Sequence, residues 1–310
     1  MKIQYNLPQR RRNAALHLMA MTGWWWDRLL GVAIAAMCGG CYGAAAQDTA
    51  PRVACGGEII AQASVGKIVD GRTFALDDGR QVRLAAIEVP PLSSPEQLPF
   101  APRIPVPDGE AARSALDALI GGDEVLLRQT DDGLDHNQDR YGRIVAYAYA
   151  LRDGDELFAQ GAMVESGLAR VADRVDTRNC AETLLSGEKA ARTAKLGLWG
   201  DPYYEVLNAD APADVLAQRG RFALVEGQVV SVRESGATIY VNFGRRWSET
   251  FAVTISKRNE RNFTAAGIDV MGLAGRRVRV RGWVEAHGAE GNVPWMEAAR
   301  PEQIEIADKH

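Results

Sequence analysis

Short apolar runs, broken by glycine, proline and aspartate, recur along most of the chain. Residues 65–69, 73–76 and 81–87 are β-branched or alternate apolar with polar positions, and Asp78-Gly79 between the last two is a hairpin signal. Helical spacing takes over in 110–119 and is closed by Gly121-Gly122. Residues 124–129 and 143–151 return to a strand pattern. Leu157, Gly161, Val164 and Leu168 then repeat at helical intervals. A third helix is predicted to open at Asn179, with Glu182 three residues on as a capping box, and to stop near Gly197. A second series follows: strands at 222–232, 238–243 and 250–255, a helix at 259–266, and strands at 277–284 and 303–306.

These patterns predict a mainly β protein with helices (α+β), built as two barrels. The first has five strands with intervening and trailing helices. In the second, three strands, a helix and two strands follow the order of the five-stranded OB barrel. The expected boundaries are 47–200 for the first domain, 201–218 for an aperiodic linker and 219–310 for the second. Within the first, residues 89–107 carry Pro90, Pro91, Pro95, Pro99, Pro102, Pro105 and Pro107, a density that forbids regular structure. The polar run at 131–139 reads as a solvated loop, because its spacing fails that of a calcium-binding EF-hand.

Composition narrows the class. The chain is 46% hydrophobic and 25% charged, which excludes a collagen-like, disordered or polytopic membrane protein. Its net charge of -4 is uneven: residues 47–218 carry 17 Lys/Arg against 28 Asp/Glu, and residues 219–310 carry 14 against 11. So acidic a middle section does not attract phosphate polymers by bulk charge, and any nucleic-acid reading must rest on local sites. The histidines (His17, His136, His287 and His310) are scattered and no zinc spacing occurs, which disfavours a histidine-centred site. No small-molecule cofactor is evident.

Residues 1–46 read as a signal peptide. Arg10, Arg11 and Arg12 form a basic start, 29–37 is a short apolar stretch, and Ala44-Ala45-Ala46 suits a signal peptidase. The expectation is export to the periplasm or medium. The rival is a membrane anchor, since 29–46 holds no charge. Cleavage would remove Cys38 and Cys41, leaving Cys55 and Cys180 as an even pair that predicts a disulfide.

Three segments carry a resemblance. They are Val69-Asp70-Gly71-Arg72-Thr73, the run Val82-Arg83-Leu84-Ala85-Ala86-Ile87-Glu88-Val89-Pro90, and Asp139-Arg140-Tyr141-Gly142-Arg143. Together, and in this order, they resemble the staphylococcal nuclease (thermonuclease) family over roughly residues 60–200, and 161–171 and 188–199 fit its two later helices. The resemblance implies a staphylococcal-nuclease OB-type barrel and calcium-dependent phosphodiester hydrolysis of DNA or RNA. It also implies that Arg83 and Arg143 grip the phosphate, a task suited to the planar guanidinium fork. Asp70 and Glu88 fall on the metal-ligand positions, with the Val89 carbonyl as a further donor.

The sequence departs from the family pattern at two positions. Arg72 stands where a second metal-binding aspartate belongs, and Pro91 replaces the glutamate that activates water. Glu96 is a weak substitute base. The expectation is therefore weak or altered hydrolysis, with calcium in doubt and Arg72 paired with Glu88 in its place. The alternative is a non-catalytic module for single-stranded nucleic acid or an envelope protein. In the second barrel, Arg277, Arg279 and Arg281 alternate along one strand and offer either a basic nucleic-acid face or a solvated surface.

Overall fold

The computed structural model describes residues 55–92, 109–131, 137–175, 177–246, 248–288 and 291–307. The expected signal peptide at 1–46, Glu96 with most of the proline-rich stretch, and the centre of the 131–139 run lie outside the described residues.

The first barrel starts as a meander of β1 (Ile59–Asp70), β2 (Thr73–Leu76) and β3 (Gln81–Leu84). The stretch expected as one strand at 81–87 breaks at Ala85-Ala86, where Ala86 takes φ 61°, and resumes as β4 (Ile87–Glu88). An alanine in the left-handed region costs roughly 1–2 kcal/mol, so neighbouring contacts must hold it. Helix α1 (Glu110–Ile120) follows, and then β5 (Glu124–Gln129), which pairs with β1. Strand β6 (Ile144–Arg152) pairs with β5 on one side and runs parallel to β3 on the other, which closes the barrel.

Strand β7 (Asp155–Phe158) and helix α2 (Ala159–Glu165) share the stretch that the 157–168 spacing assigned to helix alone. Strand β8 (Arg170–Val171) pairs with β4, and α3 (Arg178–Thr193) packs on α2. The cap of α3 is Thr177, whose hydroxyl accepts from the Cys180 N–H at 3.3 Å, rather than Asn179.

Two close approaches hold the site's surroundings in place. A Cβ on Gly71, in the turn after β1, would meet the Ala112 Cβ at 2.6 Å, so glycine lets α1 lie on that turn. One on Gly109 would meet the Pro90 carbonyl oxygen at 2.3 Å, and the Gly109 N–H donates to the Pro91 carbonyl at 3.0 Å. Cys55 and Cys180 form the expected disulfide, both almost fully buried. Beside it the Tyr149 hydroxyl donates to the Cys55 carbonyl at 2.9 Å, and burial pushes that phenol up to about 12.

The second barrel has β10 (Phe222–Gln228) continuing into β11 (Ser231–Ser235), then β12 (Thr238–Asn242) and β13 (Ala252–Ser256). Helix α5 (Glu260–Ala265) precedes β14 (Arg277–Trp283), which continues into β15 (Glu285–His287). The closing strand is β16 (Val293–Glu297), parallel to β13 and antiparallel to β15. The stretch expected to close the barrel, 303–306, is instead β17 (Ile304–Ile306), an added strand on β14. Pro294 inside β16 hides it, because proline argues against a strand interior.

Residues 201–218, expected as a linker, hold β9 (Leu207–Asn208), parallel to β10, and α4 (Pro212–Leu216). Ala209 and Val215 from this stretch are buried in the second core. A smaller cluster of Ala191, Trp199, Phe222 and Leu224 joins the end of α3 to β10. Both barrels belong to one compact unit.

Candidate phosphate-binding site

The turn after β1 is closed by Asp70, whose Oδ1 accepts the Arg72 backbone N–H at 2.8 Å. That turn aims the Arg72 guanidinium at β4. There its Nη1 pairs with Glu88 Oε2 and lies 3.4 Å from the Ile87 carbonyl oxygen. Arg83, on β3, reaches the other oxygen of the same carboxylate at 3.3 Å. Glu88 is 7% exposed, so its charge needs these partners. The expected Arg72–Glu88 pair is thus present. The carbonyl beside the Arg72 guanidinium is that of Ile87, and Asp70 Oδ1 binds the Arg72 backbone N–H.

Arg143 enters from the start of β6, held by Asp139. Its Nε and Nη2 lie 2.8 and 2.7 Å from Asp139 Oδ2, while Oδ1 accepts the backbone N–H groups of Tyr141 and Arg143 at 2.9 and 3.1 Å. The Tyr141 ring, 67% exposed, carries the Arg143 guanidinium at 5.3 Å. Burial works to raise the Asp139 pKa, but the hydrogen bonds from Arg143 and Tyr141 outweigh it and hold the carboxyl below its ordinary range.

Arg83 lies at the centre of these charges. Burial, then the positive charge of Arg72, lower its pKa, while Glu88 works against them. Its buried Nε has no acceptor among the described residues. A cavity of about 160 Å³ opens here, lined in part by Arg83, Glu88, Asp139, Asp173 and Arg174. Asp173 and Arg174 lie two and three residues after Val171 of β8 and were not singled out by any motif. Burial and the nearby Glu88 raise the Asp173 pKa, which moves that carboxyl toward its neutral form. Arg83 and Arg174 thus line the cavity directly, while Arg72 and Arg143 are held on two of its acids, Glu88 and Asp139. That is an arrangement for an anion with several oxygens.

The comparisons with known proteins bear on this geometry. The family described as staphylococcal nuclease homologue matches residues 81–201. Protein ParB of Escherichia coli is 30% identical over 145 residues, which cover 45% of this chain and 72% of ParB. The chain belongs to the staphylococcal nuclease homologue family. The family match begins at Gln81, so it takes in Arg83, Glu88, Pro91 and Arg143 but not Asp70 or Arg72.

The family is calcium-dependent in general, and the donors present here do not suit that ion. A divalent cation on Glu88 would have to displace the Arg72 guanidinium, which already lies on both the carboxylate and the Ile87 carbonyl. Asp70 is turned to backbone, and no group of three His, Cys, Asp or Glu side chains among the described residues is arranged for a metal. Pro91 supplies no ionisable group.

The basic face expected on β14 needs correction. Arg277 and Arg279 both bind Glu226, and Arg279 also meets Glu305 at 2.8 Å. Arg281 is 3% exposed and pairs with Glu188 of α3 at 2.7 Å. Charges neutralised within the fold leave little to attract a phosphate backbone. Alternation along a strand shows which residues share a face, but not that acidic neighbours will cover it. Among the described residues no helix is long and apolar enough to cross a membrane.

Proposed function

We propose that this chain is an exported member of the nuclease family whose site holds a phosphate group of DNA or RNA without calcium and hydrolyses the ester weakly. The observation that carries this reading is the Arg72 guanidinium lying on Glu88 beside Arg83. Arg83 and Arg143 then present forks to the non-bridging phosphate oxygens, and the internal cation Arg72 keeps Glu88 from repelling the anion. With Pro91 at the base position, water is not activated by a side chain there, a loss of about 10²–10⁴-fold. The buried disulfide supports export, since such bonds persist in oxidising compartments.

The test assays chain lacking residues 1–46 on single-stranded DNA and RNA, with and without calcium. Oligonucleotide binding lost in Arg83→Ala and Arg143→Ala, with little turnover, is the expected result. Pro91→Glu combined with Arg72→Asp is expected to gain calcium-dependent cleavage. Robust calcium-dependent turnover by the wild type, abolished in Arg143→Ala, would overturn the weak-activity reading.

A second reading, a purely binding role, is favoured by a cleft of about 980 Å³ alongside α3 and β14. It shares Asp173 and Arg174 with the smaller cavity. Its mixed lining, with Arg174, Arg258 and Arg300 beside Glu285, Glu297 and Glu302, suits a protein segment of an envelope partner better than a polyanion.

A further inference from the structure

Two arginines cross between the barrels in opposite directions. Arg170, on β8, donates Nη1 to the Phe222 carbonyl of β10 at 2.9 Å and lies against the rings of Tyr204 and Phe222. Arg281, on β14, reaches back to Glu188 with contacts of 2.7 and 3.1 Å and donates to the Val171 carbonyl at 3.1 Å. Glu188 Oε2 in turn accepts the Val171 N–H at 2.7 Å. One buried ion pair therefore takes both backbone polar groups of a single residue. It does for the edge of β8 what a third strand would do.

Strand β8 is the sheet partner of β4, which has only two residues and carries Glu88. Glu88 stands opposite Arg170 and Ile87 opposite Val171. One residue further on, the Ala172 N–H donates to the carbonyl of Ala86, the left-handed alanine that redirects the chain into β4, at 2.9 Å. The contacts from the second barrel to the backbone of the site are thus short: Arg281 to Val171, and the residues flanking Val171 to Ala86 and Glu88.

We propose that the second barrel completes the site of the first, and that Arg281 with Glu188 positions β4 and so the Glu88 carboxylate between Arg72 and Arg83. The inference rests on reading that cluster as an anion site. Severing the clamp would leave the β4–β8 pair without its outer partner, free to let Ala86 relax and Glu88 shift. Outer-shell partners of this kind typically change ligand affinity by about 10–100-fold.

The test compares three full-length proteins: wild type, the double variant Arg281→Met with Glu188→Gln, and Arg300→Ala. The double variant avoids leaving a lone buried charge. Arg300 is an interbarrel contact, to the Val175 carbonyl at 3.2 Å, that does not touch β8. Amide exchange at Val171 and Ala172 is measured against β6 amides as an internal reference, and inorganic phosphate affinity by calorimetry. Expected is at least tenfold faster exchange at Ala172 and about tenfold weaker phosphate binding in the double variant, with neither change in Arg300→Ala. Unchanged Ala172 protection in a folded double variant, or equal losses in Arg300→Ala, would overturn the clamp. Should the double variant not fold, Arg281→Lys keeps the charge opposite Glu188 but loses the paired Nη1 and Nη2 contacts to its two oxygens, and is read by the same criteria. Absent phosphate binding in wild type would refute the anion site, while the exchange data would still decide the clamp.

Discussion

A carboxylate that fixes a turn and a guanidinium at once is a small device with a definite pH signature, and Asp139 is one. Its Oδ1 takes two backbone N–H groups, and its Oδ2 orients Arg143. The folded-state pKa is depressed below the ordinary 3.8. Its stabilisation is therefore present above that ordinary value and is lost as pH falls through the depressed one. Asp139→Asn is expected to destabilise the protein by about 1 kcal/mol at neutral pH, from the hydrogen bonds weakened. Denaturant melts should show the difference shrinking as pH falls below that ordinary value. A gap that persists in acid would mean that the carboxylate charge is irrelevant. The same substitution frees the Arg143 fork and should weaken phosphate binding.

Among the elements, α3 does the most joining. Its first turn is tied through Cys180 to Cys55 ahead of β1, Glu188 in its middle holds β8, and Ala191 near its end packs with Trp199 and Phe222. The disulfide closes a separation of 125 residues, worth about 5 kcal/mol in the chain-entropy model. Cys55→Ser with Cys180→Ser is expected to lose most of that in urea unfolding. Two titratable thiols in the native, non-reduced wild type would show that the bond is not made. Strands β4 and β8 stand at the other extreme. Two residues each are too few for intrinsic strand preference to matter, and flanking contacts decide them.

For the molecule as a whole, the two barrels are distinct in sheet order and core but share ion pairs and the stretch 201–218. A fragment of residues 219–310 retains every strand of the second barrel but loses β9, α4 and the buried Val215. It is expected to be about 3 kcal/mol less stable than a fragment of residues 201–310, from the apolar burial removed. Equal denaturant midpoints for the two fragments would show that the added elements contribute nothing. The charge asymmetry also acts at this scale: the arginines of β14 find acidic partners on α3, β10 and β17, so part of the second barrel's positive excess is spent within the protein.

The sequence by itself determined the first barrel's strands, the helix after Gly109, the family motifs and the disulfide pair. Alternation, turn residues and motif spacing are local properties that need no partner to be read. It also marked Arg72 and Glu88 as a pair, because a cation at a metal-ligand position leaves a buried carboxylate one obvious neighbour. Tertiary structure alone decided the break at Ala86, since nothing in the run 81–87 signals a left-handed alanine whose carbonyl the Ala172 amide binds. It placed Asp173 and Arg174 at the site, carried there by β8 from residues distant in sequence. It made β16 the closing strand despite Pro294, because pairing to β13 and β15 outweighs the missing donor. And it turned Arg281 from a surface candidate into the buried partner of Glu188, 93 residues away in the chain. A strand pattern reports which way a side chain points, whereas what it meets there depends on how the two barrels pack.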